Sequence, residues 1–450
     1  MNLLKYLSTI IILSIAQGVT AQGNQLCDSI IVEDANGIQT KKSLFTYDAK
    51  GRLLTEEKLV YNKKVQKWAG LSYEEWSYDA AGNCTHNVVK HWNSAYSDWQ
   101  PASDKFCRYD SKGRITELDI RKWSAQRSVW IGEQKTTTEY DAQGRQQSVV
   151  SFDWDEKQQE WEMAQRTQYE YNTQGNITKI TESIRSGAVW QLNHREVVTY
   201  DKAGKVKIGD LKSLYSDGQW IDYERNEYSL KVDGNHTFEV VSKQMKGANG
   251  EWQNSERLTN EFDEHHTLIA NSEETWHIDK WLKINQERSV VKYDERGNKT
   301  ADSHYRWAGY DANHKDVWMD VSNITEKYDD KGNVLSVIRL VWDERSNKWL
   351  GVENVESTYY PSGKVQKRIN RIWNAQSGEW ENITNNAYEY DEKGSVVRET
   401  TAQWNAAAQE WKTFFEGKNE YSYDNGAVKR IEEFVLNAGE WKRVAVTTYY

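Results

Sequence analysis

Tryptophan is the residue type in this sequence with the clearest potential for binding. The chain contains 22 Trp residues. Twelve of them form six pairs whose members are seven positions apart: Trp92 and Trp99, Trp123 and Trp130, Trp154 and Trp161, Trp342 and Trp349, Trp373 and Trp380, and Trp404 and Trp411. Indole faces can stack on sugar rings or on a partner's aromatic side chains. These twelve residues are our candidate ligand-binding set, with cross-strand packing of each pair as the structural alternative.

Residue patterns for catalysis or metal binding are sparse. The sequence contains no H-E-x-x-H, G-x-S-x-G, P-loop, C-x-x-C or EF-hand pattern. Its nine histidines are scattered, and the adjacent His265 and His266 are interpreted as turn residues rather than as metal ligands. We therefore expect no enzymatic activity, no cofactor and no metal site.

The tryptophans are carried by one repeated unit. The motif Tyr-Asp-x-x-Gly begins at Tyr47, Tyr78, Tyr109 and Tyr140, 31 residues apart, and its register continues to Tyr423 in thirteen units. The complete unit has a Trp 14 positions after the Tyr, a second Trp seven later and the next Tyr ten later; eight Trp hold the first position, thirteen hold the second, and only Trp76 lies outside both. Asp-x-x-Gly is typical of a type I turn followed by a left-handed Gly, so each unit predicts an antiparallel β-hairpin.

The repeat predicts an all-β protein. Residues 47–450 are expected to form an array of thirteen antiparallel hairpins of about 31 residues, arranged in a continuous curved or superhelical meander sheet. A β-propeller is the alternative, although thirteen hairpins do not divide into blades of two. Residues 22–46, with a turn at Asn36 and Gly37, are predicted to form a degenerate capping hairpin. Even spacings predict that both Trp positions and the Tyr share one sheet face.

Two of the three cysteines are candidates for a disulfide. Cys84 and Cys107 are placed symmetrically about the same hairpin centre as Trp92 and Trp99. This symmetry predicts that the two cysteines face each other on the Trp side and form a cross-strand disulfide. Cys27 is then expected to be a free thiol.

Residues 1–21 have the pattern of a secretory signal peptide. Lys5 supplies the positive charge, residues 6–15 the apolar stretch, and Ala21 ends a small-residue cleavage site. We therefore expect the mature protein to be exported to the periplasm, the cell surface or the medium.

Charge excludes some partners and argues against a membrane barrel. Asp and Glu (68) outnumber Lys and Arg (58), so the net charge of −10 favours no nucleic-acid partner. Strand length, meander order and aromatic strand ends all fit an outer-membrane barrel. However, Lys179 and Lys367 fall on the expected Trp face and Glu182 and Arg368 on the other, and basic residues facing lipid cost about 2–4 kcal/mol each. We expect the chain not to span a membrane after signal removal.

The motifs YDAKGR, YDSKGR, YDAQGR, YDERGN, YDDKGN and YDEKGS resemble the YD repeats of the Rhs family. The resemblance covers residues 47–450. It implies long, spiralling β-sheets that serve as cell-surface or toxin-enclosing shells, some proposed to bind carbohydrate. This sequence differs in its longer unit, its Trp pair, and its lack of a core-closing motif or a C-terminal toxin domain.

Two functional hypotheses follow. The first is an exported, non-catalytic repeat scaffold that mediates protein interactions in the cell envelope or outside the cell. The alternative is a glycan-binding module that uses the Trp ladder. The expected partner is thus an unidentified protein or a cell-surface glycan.

Overall fold

A computed structural model describes residues 26–450, so the expected signal peptide at residues 1–21 lies outside the described residues. These residues form 28 β-strands, and no helix among them is long and apolar enough to cross a membrane. The strands are β1 Ser29–Asp34, β2 Gln39–Tyr47, β3 Leu53–Asn62, β4 Lys67–Tyr78, β5 Cys84–Asn93, β6 Asp98–Tyr109, β7 Ile115–Ser124, β8 Val129–Tyr140, β9 Gln146–Asp155, β10 Glu160–Tyr171, β11 Ile177–Ser186, β12 Val189–Tyr200, β13 Lys207–Ser216, β14 Gln219–Asp233, β15 His236–Lys246, β16 Trp252–Phe262, β17 Leu268–His277, β18 Lys280–Tyr293, β19 Lys299–Tyr310, β20 Asp316–Tyr328, β21 Val334–Asp343, β22 Lys348–Tyr359, β23 Val365–Asn374, β24 Glu379–Tyr390, β25 Val396–Asn405, β26 Glu410–Asp424, β27 Ala427–Asn437 and β28 Glu440–Tyr449.

The Asp-x-x-Gly motif forms a tight turn between units. At Asp110 the carboxylate accepts hydrogen bonds from the backbone N–H groups of Lys112 (2.8 Å) and Arg114 (3.1 Å). Gly113 has a φ of 78°, which favours glycine because it has no Cβ. Each turn leads directly into the next strand, so the strands follow one another as antiparallel neighbours. The all-β prediction is confirmed.

The sheet closes into a barrel. The first strand, β1, pairs with β2 on one side and with the last strand, β28, on the other, where Val32 lies opposite Thr447. The expected continuous curved meander is present, but it closes into a barrel instead of winding as a superhelix, and the propeller alternative is wrong. The first hairpin does turn at Asn36 and Gly37, but it joins the two ends of the sheet instead of capping one of them.

Closure also corrects the expectation about membranes. That expectation rested on charges on both strand faces, but charge on the faces does not prevent closure, which requires only that the first and last strands pair. In the closed sheet of 28 strands no strand edge is left unpaired. A closed cylinder is the form in which a β-sheet crosses a bilayer. The expectation that the mature chain does not span a membrane is thus contradicted.

A β-bulge occurs in the second strand of every hairpin from β3–β4 to β27–β28. It falls three residues after the second Trp position, at Leu71, Ala102, Glu133, Ala164, Asn193, Tyr223, Ser255, Ile284, Val321, Val352, Ile383, Phe414 and Val444. The extra residue reverses the alternation of side chains along the strand. The prediction that Trp and Tyr share a face is therefore wrong: the Trp pairs lie on one face, the Trp face, and the register tyrosines on the other, the Tyr face.

The pairing register shows which face is outside. Glu57 pairs with Tyr73 on the next strand, and Tyr73 pairs with Lys90 on the strand after that. The residue equivalent to Glu57 in the next unit is Val88. The pairing therefore shifts by two residues toward the Trp end from one unit to the next. Strands coil around a barrel with a right-handed tilt, which fixes the direction in which successive units follow one another. Phe45, a Tyr-face residue, donates its backbone N–H to the carbonyl of Asp28, just before β1. The backbone N–H and C=O groups of the Trp-face residues of β2 therefore point to β3. In a strand of L-residues, the side on which a residue makes its backbone hydrogen bonds determines the face to which its side chain points. Together with the direction in which the units follow one another, this places the Trp face outside and the Tyr face in the lumen.

The barrel is one layer thick and open. Its accessible surface is 29088 Å², whereas a compact monomer of this mass exposes roughly 18,000 Å². With 28 strands at the usual spacing and tilt, the cylinder is about 50 Å across. Within residues 26–450, strands contact only strands near them in the sheet, so side chains do not fill the lumen.

Candidate functional site

The six Trp pairs meet directly across their hairpins, as the sequence predicts. Each pair is edge-to-face, with ring centroids 5.1 Å apart in Trp154–Trp161 and 5.4 Å apart in Trp342–Trp349. The other four pairs have similar distances: Trp92–Trp99, Trp123–Trp130, Trp373–Trp380 and Trp404–Trp411. Edge-to-face pairing of this kind stabilises an aromatic pair by about 0.5–1.5 kcal/mol beyond burial. The pairs form a ladder around the outside of one end of the barrel.

In three units a glycine on the preceding hairpin makes room for the next Trp pair. A Cβ built on Gly132 would lie 2.5 Å from Trp154 and 2.6 Å from Trp161. Gly70 and Gly351 hold the same position, two residues after Trp68 and Trp349. Successive units are thus interlocked on the outer face by indoles that cover glycine backbone.

Basic and acidic side chains of the preceding unit also contact the indoles. The guanidinium of Arg288 lies 4.0 Å from the ring centre of Trp318, and that of Arg195 lies 4.6 Å from Trp220. Trp161 donates its indole N–H to Asp119 (3.1 Å). These cation–π contacts and hydrogen bonds stabilise the ladder itself.

The Trp ladder is partly enclosed, and its role in binding is untested. All 22 tryptophans are half-buried, with none in the exposed class. Neighbouring cations and glycine backbone occupy part of the indole surface on which a sugar would stack. Packing is sufficient to explain the periodicity of the indoles, and glycan binding by the twelve candidate residues stays a prediction.

The register tyrosines fasten neighbouring hairpins at the opposite end, on the lumen side. Tyr171 donates its hydroxyl to the backbone carbonyl of Gln146 (2.7 Å), and Tyr109 donates to that of Cys84 (2.8 Å). Between the two ends, the lumen wall exposes apolar side chains among charged ones. Leu214 is 48% exposed and Ile372 is 53% exposed. A wall with this composition can contact a hydrophilic or amphipathic partner.

The two candidate disulfide cysteines lie on adjacent strands but are not directly opposite. The bulge at Ala102 shifts the register, so that His86 pairs with Phe106. Both cysteines consequently fall on the Tyr face, and the prediction that they face each other on the Trp face is wrong. The structure has Cys27, Cys84 and Cys107 as free thiols. The disulfide stays a prediction, which mass mapping under non-reducing conditions would test.

Within residues 26–450 there is no group of three or more His, Cys, Asp or Glu side chains arranged to hold a metal ion. His266 occupies the turn position that is Gly in other units, with a φ of 59°. Its neighbour His265 packs on Tyr293, with ring centres 4.1 Å apart. Both histidines therefore contribute to the structure of the turn, His266 through its backbone conformation and His265 through its packing on Tyr293.

Sequence reasoning missed the lumen wall as a candidate surface. Even spacing assigns the lumen residues to the wrong face of the sheet, because it does not account for the bulges. The bulge positions hold residues as different as Ala164, Glu133 and Phe414, so no residue type marks them. A pattern of Gly two positions after the second Trp, as at Gly132, was the available signal for close packing of the units on the Trp face.

Comparison with known proteins gives no family. No family model matches the chain, and no curated protein matches it. Among solved structures, a protein of unknown function from Bacteroides fragilis NCTC 9343 is 13% identical, with a TM-score of 0.21 over 30% of this chain and 91% of that chain. A porin-like protein from Bacteroides uniformis ATCC 8492 is 10% identical, with a TM-score of 0.13 over 74% and 96% of the two chains. A porin-like protein from Bacteroides vulgatus ATCC 8482 is 10% identical, with a TM-score of 0.16 over 61% and 97%. At these TM-scores the likenesses support no conclusion about fold or function.

Proposed function

We propose that this protein is an exported barrel of the cell envelope that acts without catalysis, as a scaffold whose lumen holds or passes a hydrophilic partner. The observation that carries the proposal is the open lumen, about 50 Å wide between its walls before side chains are counted. Partly exposed apolar groups such as Leu214 stand on this wall beside charged ones such as Lys212. The signal-peptide pattern at residues 1–21 supports export.

A comparison of the two faces favours the lumen wall as the surface that binds a partner. Ion pairs occur on both faces, as in Arg121–Asp119 (2.7 Å) outside and Lys212–Glu224 (2.7 Å) on the lumen wall. Indoles and cations on the outer face also cover one another. The lumen wall keeps carboxylates such as Glu239 and Glu273 that form no ion pair among residues 26–450. Groups without an internal partner are the ones available to an external one.

Access to the lumen can be measured with a matched pair of cysteine variants. In a background with Cys27, Cys84 and Cys107 replaced by Ser, Leu214→Cys places a thiol in the lumen and Met163→Cys places one outside. The native residues at both positions are 48% exposed. We expect maleimides carrying polyethylene glycol chains, up to the size of a small folded protein, to label both sites at similar rates. Labelling of the lumen site by small maleimide alone would contradict an open lumen.

Use of the lumen by a partner requires a second experiment. A photo-crosslinking amino acid at position 214 should give a discrete adduct in the envelope fraction of the producing cell, and the same group at position 163 should not. Adducts only at position 163 would instead favour the outer face and the Trp ladder. Recovery of the protein in the soluble cytoplasmic fraction would contradict the envelope location.

A further inference from the structure

A glycine creates a hollow in the lumen wall near the seam of the barrel. Gly417 on β26 lies between Glu399 on β25 and Val435 on β27. Because Gly417 has no side chain, the ring of Phe415, two residues before it, lies over this position. A Cβ on Gly417 would be 2.8 Å from the Phe415 ring. The hollow beside this ring is lined by Glu399, Phe415, Asn419 and Glu433, among others.

The two carboxylates of the hollow have no basic partner. Neither Glu399 nor Glu433 forms an ion pair or a side-chain hydrogen bond with any of residues 26–450, although both are half-buried. The nearby basic residues Arg398 and Lys418 lie on the outer face instead, where they pair with Glu416 and Glu420. Lys41 contributes a favourable charge at Glu433 from a distance but makes no ion pair with it. A half-buried carboxylate without a partner is costly, so these two have a binding capacity that the fold does not use.

The ring of Phe415 lines the hollow, and two tyrosines lie beyond its lining residues on the same face. Tyr388 lies directly across from Glu399 on β24, and Tyr421 follows Asn419 by two residues on the same lumen face. The face of an aromatic ring attracts a cation, and rings combined with acidic groups form the cages that recognise ammonium groups. The amide oxygen of Asn419 adds a hydrogen-bond acceptor. Two carboxylates, the Phe415 ring and the Asn419 side chain thus line one small space.

We propose that the hollow at Gly417 binds a primary ammonium group, carried either by a lysine side chain of a partner or by a small organic amine. The ammonium would lie against the Phe415 ring and donate hydrogen bonds to the side-chain oxygens of Glu399, Glu433 and Asn419. This site deepens the proposed function, because it rests on the lumen being open and names the chemistry of what enters it.

Calorimetric titration of the purified protein tests the site with two amine probes and a neutral one. The amines are n-butylammonium, which represents a free amine, and Nα-acetyl-lysine methylamide, which represents a lysine side chain. The neutral probe is Nα-acetyl-norleucine methylamide, which has the same chain length as lysine without the charge. We expect at least one amine to bind and the neutral probe not to bind. Binding of the lysine probe alone indicates a polypeptide partner, and binding of butylammonium indicates that a free amine suffices.

Variants of the hollow give the specificity control. Glu399→Gln combined with Glu433→Gln is expected to weaken amine binding by at least about tenfold, since hydrogen bonds to charged groups are lost. Gly417→Val, which fills the hollow and keeps both carboxylates, should abolish binding. Glu273→Gln, which removes a lumen carboxylate on the distant strand β17, should leave it unchanged. Circular dichroism establishes that each variant is folded.

The site is overturned if the norleucine probe binds as tightly as the lysine probe, or if the double Gln variant binds amines like the unaltered protein. Labelling of Leu214→Cys reports separately on the lumen. If that thiol is accessible to large maleimides and no amine binds, the ammonium site is wrong and the open-lumen scaffold stands. If the thiol is inaccessible, the open-lumen scaffold is wrong, and the ammonium site, which rests on it, loses its basis.

Discussion

The tryptophans show how one side chain can serve as a connector between repeats. Trp154 packs edge-to-face on Trp161 within its hairpin, and both rings cover Gly132 of the hairpin before. Each indole of this pair therefore has one contact inside its unit and another with the preceding unit. This double role explains why the second position is Trp in all thirteen units while the residues between the two positions change.

The energy of one Trp pair can be isolated by a double-mutant cycle. Trp373→Ala, Trp380→Ala and the double variant should yield a coupling energy of about 0.5–1.5 kcal/mol in the free energy of unfolding. The measurement is chemical denaturation followed by circular dichroism. The same three proteins on a glycan array test the alternative function: sugar binding that survives in the double variant would remove these two indoles from the candidate ligand-binding set.

The packing of indoles against glycine predicts a steric effect. Gly132→Ala should lower the stability of the barrel by about 1–3 kcal/mol, because the new Cβ forces Trp154 and Trp161 out of place. Glu133→Ala changes the exposed neighbouring residue and should leave the denaturation midpoint nearly unchanged. Equal midpoints for the two variants would show that the indoles can move away at no cost.

The turn aspartates predict a dependence of stability on pH. Hydrogen bonds from the Arg114 side chain and backbone lower the pKa of Asp110 to about 2, against about 3.9 for an unperturbed Asp. A lowered pKa in the folded state contributes stability above the unfolded value, and this contribution is lost as pH falls through the folded value. Asp110→Asn should thus be less stable than the unaltered protein near neutral pH, and the difference should shrink as the pH falls through about 2 and vanish below that value. Urea midpoints across this range measure the difference, and a gap that persists at low pH would exclude the charge as its cause.

At the scale of elements, the bulge is the feature that organises each hairpin. In β10 the extra residue Ala164 lies between Met163, which pairs with Phe152, and Gln165, which pairs with Ser151. Without it, Tyr171 would point outward and could not donate to the carbonyl of Gln146 in the wall. The bulge thereby separates an outer Trp ladder from an inner set of tyrosine clamps.

Deletion of Ala164 should be far more harmful than its replacement. Removing the residue shifts the rest of β10 by one position and moves every following side chain of that strand to the wrong face. Ala164→Ser keeps the residue count and should retain the melting temperature within a few degrees, because bulge positions accept many residue types. Thermal melts of the two variants test this. A deletion variant as stable as Ala164→Ser would mean that the bulge is dispensable.

At the scale of the whole molecule, closure depends on a single seam. Strand β1 is short, and its contact with β28 is the only link between the first and last strands of residues 26–450. Val446, beside this seam on β28, is fully buried. The closed form has no sheet edge, whereas an open form would expose two edges that invite aggregation.

A disulfide across the seam can detect closure directly. Val32→Cys with Thr447→Cys, in the background lacking the native cysteines, places two thiols directly opposite each other on the lumen face. Mild oxidation should form the disulfide in nearly all molecules, visible as a mobility shift on a non-reducing gel. Val32→Cys with Thr136→Cys joins strands that do not pair and should remain reduced. A reduced seam pair under the same conditions would indicate an open sheet.

The sequence alone determined the local structure of this protein. The Asp-x-x-Gly turn and the regular spacing of Trp92 and Trp99 specify antiparallel hairpins with opposed indoles, because turn geometry and cross-strand pairing are local properties. The resemblance to YD repeats stays a prediction, since no comparison tests it. Everything within one hairpin, up to the bulge, could be predicted from residue type and spacing.

Only the tertiary structure decided the faces and the shape. The bulges leave no mark in residue type, as Ala164 and Phe414 show, because they are set by how a hairpin twists against its neighbours. Closure depends on the accumulated tilt of all the strands, which brings β28 beside β1, and no single unit contains that information. The lumen and the hollow at Gly417 exist only once the ring has closed.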